Sequence, residues 1–149
     1  MSKFLKLFAI ALMLTSCNAK DDNLSEMIIT TSEGDVVYQV ETATTKEEMA
    51  QGLMDRKELK ADSGMVFHLD GAKDIAMWMK DTYVALDMLF VDQEGKIIWI
   101  YENAEPLSTN LIQPAMSEPL SVVVEINAGD VQKHNIKIGD TLKHFLIEK

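Results

Sequence analysis

The 149-residue chain holds a single cysteine, Cys17, so it can form no internal disulfide, and its stability must come from a hydrophobic core. Cations are also scarce: 14 Lys and Arg stand against 24 Asp and Glu, a net charge of −10. Phosphate-backbone binding needs clustered cations, so no nucleic-acid partner is expected. Acidity alone keeps a domain soluble and does not point to a cationic partner. There is no Gly-x-Ser-x-Gly elbow to present a serine nucleophile, and His68, His134 and His144 lie on unrelated segments without metal-ligand spacing. The expectation is no metal and no cofactor. No run of 18 apolar residues occurs, so no permanent membrane-spanning helix is expected.

What is present begins with a targeting pattern. Lys3 and Lys6 precede an uninterrupted apolar run, Leu7 to Leu14, which is too short to remain in a bilayer. The run ends in Leu14-Thr15-Ser16-Cys17, which resembles the lipobox of bacterial lipoproteins, whose cysteine is acylated and becomes the mature N-terminus. Each buried methylene contributes about 0.8 kcal/mol, so two or three acyl chains anchor a protein stably. Residues 1–16 are therefore expected as a signal peptide, 17–26 as acylated cysteine and tether, and 27–149 as one domain. Without residues 1–16, which carry two lysines and no acid, 12 cations face 24 acids and the net charge is −12. Residue 18 is Asn rather than Asp, so an inner-membrane retention signal is absent and the outer membrane is expected. Lys20-Asp21-Asp22 resembles a surface-export signal, and a short charged tether has the same letters, so periplasmic face and cell surface both stay open.

Period-two alternation predicts strands over Met27–Thr31 and Val36–Glu41 around a Gly34 turn. Thr45 and Glu48 form a capping box that opens a helix from Lys46 to about Met54, with Met49, Leu53 and Met54 toward the core. Further strands are predicted at Met65–His68, Ile75–Met79, Leu86–Val91, Lys96–Tyr101, Leu120–Ile126 and Thr141–Ile147, with a short helix within Asn127–His134. The fold class is α+β: a mostly antiparallel, barrel-like sheet with one or two short helices.

Four motifs occur in order: Gly52-Leu53-Met54-Asp55-Arg56, Gly64-Met65-Val66-Phe67, Trp78-Met79-Lys80-Asp81-Thr82 and Leu86-Asp87-Met88-Leu89-Phe90. With Val124-Glu125-Ile126, Gly129 and Ile138-Gly139-Asp140, they resemble the family catalogued as domain of unknown function 192, over roughly Met27 to Ile147. Asp81 stands where that pattern has Asn, and Met77 where it has an aromatic. The resemblance implies a β-rich fold, often secreted or anchored, and carries over no catalytic residue.

The stretch Ile75-Ala76-Met77-Trp78-Met79-Lys80-Asp81-Thr82 concentrates the functional side chains. Strand alternation places Met77 and Met79 on one face and Trp78 with Lys80 on the other. An indole beside a cation suits an envelope glycan or a small anionic, partly apolar ligand. Arg56 offers a fork to a carboxylate or phosphate. Asp87, inside an apolar strand, needs a partner, either Arg56 or Lys80 as a structural pair or a ligand in a cleft. Trp78, Lys80, Arg56 and Asp87 are thus the candidate binding residues of an envelope lipoprotein that serves as a small binding or accessory module. The alternatives are an enzyme acting on envelope polymers, with Asp87 paired to Glu125 or Asp140, a Cu(I) protein using Met77, Met79 and His68, and a purely structural interaction module.

Because no other thiol can replace it, Cys17→Ser should abolish acylation and release the domain from membranes or block its maturation. Fatty-acid labelling followed by membrane fractionation checks this, and a variant still labelled and membrane-bound would refute the lipobox reading.

Overall fold

Alternation along residues 24–43 builds the first hairpin, β1 (Leu24–Thr31) with β2 (Gly34–Ala43), in a register running from Leu24↔Glu41 to Thr31↔Gly34. This computed structural model describes residues 23–115 and 118–147; the expected signal peptide (1–16) and residues 17–22 of the expected tether, Cys17 among them, lie outside the described residues, whereas residues 24–26, expected as the end of that tether, form the start of β1. Helix α1 (Lys46–Gln51) opens with the predicted capping box: Glu48 N–H donates to Thr45 Oγ1 at 3.2 Å, and Thr45 N–H to Glu48 Oε2 at 2.9 Å. The main-chain N–H groups of Thr44 and Thr45 hold the Glu48 carboxyl below the usual range. The helix ends at Gln51 rather than Met54, because Gly52 turns the chain at φ 47°.

The remaining elements are β3 (Ser63–Ala72), β4 (Leu86–Asp92), β5 (Ile97–Ala104), β6 (Leu120–Asn127), α2 (Asp130–Lys133) and β7 (Thr141–Lys143). They form one seven-stranded sheet in the order β5-β4-β6-β3-β2-β1-β7, in which β2 and β3 make the parallel pair and every other pairing is antiparallel. The sheet curls until its edges meet. Ile97 N–H donates to Asp140 O (2.9 Å), Gly139 N–H to Ile97 O (2.8 Å), and Leu142 N–H to Gly95 O (2.7 Å). The α+β, barrel-like expectation is thus met. Among the described residues no helix is long and apolar enough to cross a membrane.

Each face of the sheet is buried against a different layer. All seven strands send residues to the inner face, among them Met27, Val40, Val66, Leu89, Ile97, Val124 and Leu142. The outer face of β3, β4 and β6 carries Met65, Phe67, Met88, Phe90 and Val123, covered by Leu53, Met79 and Ile112 from the connections. Burial on both faces explains why Leu86–Val91 and Leu120–Ile126 are nearly continuous apolar runs.

Two predicted strands are corrected. Ile75–Met79 is not part of the sheet: it makes a single bridge, Met77↔Ile112, and Met79 N–H donates to Ser108 O at 3.0 Å. Asp74 and Asp81, both at positive φ, turn the chain away at either end. The last strand stops at Lys143, where the chain turns at His144 and Ile147 N–H donates to His144 O.

Asp87 is 0 % exposed inside the barrel, and its partner is neither Arg56 nor Lys80. Its Oδ1 accepts from Asn103 N–H (2.9 Å), and its Oδ2 from Gly129 N–H (2.9 Å) and Val131 N–H (3.0 Å). Gly129 is the N-cap of α2 and has no side chain to cap it, so Asp87 supplies the cap from β4. Hydrogen bonds to a charged group contribute about 1.5–3 kcal/mol each. Asp87→Asn would turn an amide donor toward a main-chain donor, and should cost about 3 kcal/mol, or roughly 12 °C in Tm for a domain of this size. A melting temperature within 2–3 °C of wild type would show that the carboxylate does not hold these segments.

His144 fastens the other end of the chain. Its ring is 2 % exposed, with Nε2 2.7 Å from Ser25 Oγ, and Nδ1 accepts from Leu146 N–H at 3.4 Å. That assigns the proton of the neutral ring to Nε2, and Ser25 passes its own hydrogen to Val40 O. The hydroxyl therefore faces a donor, not a base, and the pair is structural. Burial lowers the His144 pKa to about 4. Between pH 6.5 and 4 the unfolded chain binds the proton and the folded chain does not, so this stability is present above 6.5 and lost as pH falls toward 4. The wild-type protein should lose about 2–3 kcal/mol more than His144→Gln between pH 7.5 and 4.5. Parallel denaturant curves for the two proteins across that range would contradict the assignment.

Candidate functional site

A cleft of about 80 Å³ opens on the outer face of the sheet, between α1 with its following turn and the 76–82 segment. Phe67 from β3 and Glu125 from β6 form its floor, Leu53 and Met49 one wall, and Met77, Trp78 and Thr82 the other. Two glycines allow this packing. A Cβ on Gly52 would meet the Phe67 ring at 3.2 Å in a backbone conformation that already disfavours side chains. One on Gly64 would come within 2.5 Å of the Glu125 carbonyl oxygen, so Gly64 lets β3 lie close against β6.

Glu125 is 4 % exposed, and among the described residues nothing donates to or pairs with its carboxyl. Its paired neighbours on the flanking strands are Met65 and Met88. Removal from water raises its pKa to about 8, so at neutral pH it is an uncharged acid with one O–H donor and one carbonyl acceptor. Above it, Trp78 is 46 % exposed, and the Lys80 ammonium lies 5.8 Å from the indole centroid. Lys80 also sits 3.9 Å from Asp81, both in solvent. Thr82 Oγ1 donates to Lys80 O at 3.2 Å, which leaves its lone pairs available.

Of the four residues the sequence marks as binding candidates, only Trp78 and Lys80 come together. Arg56 lies in a separate cavity of about 220 Å³ with Glu58, Leu59 and Ser63. There its guanidinium grips Glu41 with both prongs, one at 2.7 Å (Nη2 to Oε2) and the other from Nη1 to Oε1, which raises its pKa further. Asp87 is sealed in the barrel. The carboxylate-pair reading fails on parity: Asp87 is paired with Ile126 and points inward, whereas Glu125 points outward, so the sheet stands between them. Asp140 is occupied in its own turn, accepting from Lys137 N–H. The Cu(I) set is divided in the same way, with Met79 in the outer layer and His68 following Val66 to the inner side, near Leu146 and Ile147. Among the described residues no group of three or more His, Cys, Asp or Glu is placed to hold a metal ion.

Beyond its place in the Val124-Glu125-Ile126 motif, Glu125 is a functional candidate in the sequence only as half of that pair, although it carries the same signal as Asp87, an acid inside an apolar strand. Thr82 carries no signal of its own beyond membership of the third motif.

Comparison with known proteins agrees with the order of the motifs. A protein of unknown function from Novosphingobium aromaticivorans DSM 12444, solved by crystallography, superposes with a TM-score of 0.77 at 32% identity, over 81% of this chain and 85% of that one. A crystal structure of a putative transcription regulator from Sinorhizobium meliloti 1021 superposes with a TM-score of 0.76 at 37% identity, over 80% of this chain and 92% of that one. No curated protein matches the sequence. Residues 27–144 match DUF192, described as an uncharacterized ACR, and with most of the domain accounted for by that match the chain belongs to this family.

Proposed function

We propose that the protein is a bacterial envelope lipoprotein, anchored at the outer membrane through acylated Cys17, whose DUF192 domain binds a small ligand at the cleft under Trp78 and Lys80. One observation carries the binding reading: a carboxyl group without a protein partner forms the floor of an open cleft whose lip is an exposed indole. The Glu125 carboxyl touches the space of a concave site rather than being sealed in the core, so a ligand or water entering the cleft supplies its hydrogen-bond partner. The anchor reading rests on Lys3, Lys6, the Leu7–Leu14 run and the position of Cys17.

Of the two ligand classes that suit an indole beside a cation, the site favours an uncharged envelope-glycan fragment over an anion. Lys80 is already matched by Asp81 and Arg56 by Glu41, and the floor offers a neutral acid rather than a positive charge for an anion to pair with. Among the described residues no second carboxyl lines the cleft to act with Glu125, which favours binding over a carboxylate-pair mechanism.

Trp78→Ala and Lys80→Ala should each melt within about 2 °C of wild type, since exposed substitutions change stability by about 0.5 kcal/mol or less. Trp78→Ala should weaken the capture of envelope-glycan fragments at least roughly tenfold, as truncation of a central aromatic anchor does. Saturation-transfer NMR against a panel of glycan fragments and small anions reads this out. A Trp78→Ala protein that unfolds, or one that binds the same compounds equally well, would remove the indole from the site.

A further inference from the structure

A cavity of about 150 Å³ lined by apolar side chains takes a six-atom benzene ring, so one of about 80 Å³ takes roughly three or four non-hydrogen atoms. A pyranose ring does not fit. What enters the cleft is a small terminal group, and the rest of the ligand stays outside against Trp78.

The lining defines that group. Leu53, Phe67 and Met49 present an apolar wall that wants a methyl. The Glu125 carboxyl has an O–H with nothing to receive it, which wants a carbonyl oxygen. Thr82 Oγ1 has given its hydrogen to Lys80 O and has lone pairs left, which want an N–H. A methyl, a carbonyl and an N–H in four non-hydrogen atoms make an acetamido group. We propose that the cleft receives the acetamido group of an N-acetylated sugar, with Glu125 donating to the acetyl carbonyl, Thr82 accepting from the amide N–H, and the sugar ring lying against Trp78. The sugar is chosen over an acetylated lysine because the cleft is open and shallow, with an exposed indole and the Lys80–Asp81 pair at its lip. That lip offers a flat apolar face and polar groups for hydroxyls, and no channel for an aliphatic stem.

This proposal rests on the ligand-binding reading of the cleft and adds the ligand's chemistry. It also makes binding depend on the Glu125 proton. Among the described residues no other ionisable side chain lines the cleft. Around it, Lys46, Glu47 and Asp55 are exposed, Glu48 is held in its capping box, and Lys80 faces Asp81. The outer-face neighbours from β3 and β4 are the uncharged Met65, Phe67, Met88 and Phe90.

The test is a titration of the folded domain with methyl N-acetyl-glucosaminide, methyl glucoside and Nα-capped acetyl-lysine, followed by Trp78 perturbation and saturation-transfer NMR at pH 6 and pH 9. The expected result is saturable binding of the N-acetyl sugar, at least roughly tenfold tighter than the glucoside, which lacks the hydrogen-bonding amide. With Glu125 titrating at about 8, wild-type affinity should fall roughly tenfold at pH 9. Glu125→Gln keeps a donor and an acceptor and should bind with a flat pH profile, whereas Glu125→Leu should fold and lose binding. Three outcomes would overturn the proposal: glucoside bound as well as the N-acetyl sugar, acetyl-lysine bound more tightly than either, or affinity rising above pH 8, which would make Glu125 an anion for a cationic ligand. If other panel compounds perturb Trp78 while the N-acetyl sugar does not, the acetamido assignment fails and the cleft stands. If no compound perturbs Trp78, both readings fail.

Discussion

Three main-chain N–H groups converge on the Asp87 carboxylate inside the barrel, and they come from the end of β5 and the start of α2. That convergence pins the chain just after β6, because Gly129 and Val131 follow Asn127 closely. With its end pinned, β6 can pair with β4 in only one register, Asp87 opposite Ile126 and Met88 opposite Glu125. Side chains alternate along a strand, so a slip of one residue would turn Glu125 into the barrel and a valine out toward the cleft. The outward acid at the site thus depends on the inward acid that holds the register.

The two acids are chemically alike and end in opposite conditions. Asp87 is buried with three main-chain N–H donors, one on Oδ1 and two on Oδ2. Glu125 is buried with none among the described residues, and desolvation acts on it alone. A fold that satisfies one interior acid this fully shows that partners can be supplied within the sheet; the other is left bare beside a solvent-open cleft, so the two sides of one layer treat an acid in opposite ways.

Much of the fold was legible from the sequence because it is written in short-range patterns. The period-two runs mark most of the strands, and Thr45 with Glu48 marks the start of α1. The alternation around Trp78 was also legible: Met79 is buried, Trp78 and Lys80 are exposed. What that pattern does not encode is the partner, and the segment bridges to Ile112 in a loop instead of joining the sheet. For Asp87 the need for a partner was legible, but the donors lie 16, 42 and 44 residues away and are main-chain groups without a side-chain signature. Arg56 has acids on several segments to choose from, and only the parallel packing of β3 beside β2 brings the connection between them back to Glu41. For Glu125, which face it occupies is a matter of register parity, and parity is a property of the assembled sheet.

The order of the strands has a kinetic consequence. β7, the last strand, pairs with β1, the first, so Ile29 lies opposite Leu142 across nearly the whole domain. Closing such a loop costs entropy before any contact rewards it, which places barrels with this connectivity among the slower folders, on roughly millisecond-to-second scales. Until Leu142 is in place, the edge of β1 lies open, an unpaired strand of the kind that recruits other chains. A folding chain therefore carries an adhesive margin until late, and the three residues of β7 act as the clasp that removes it.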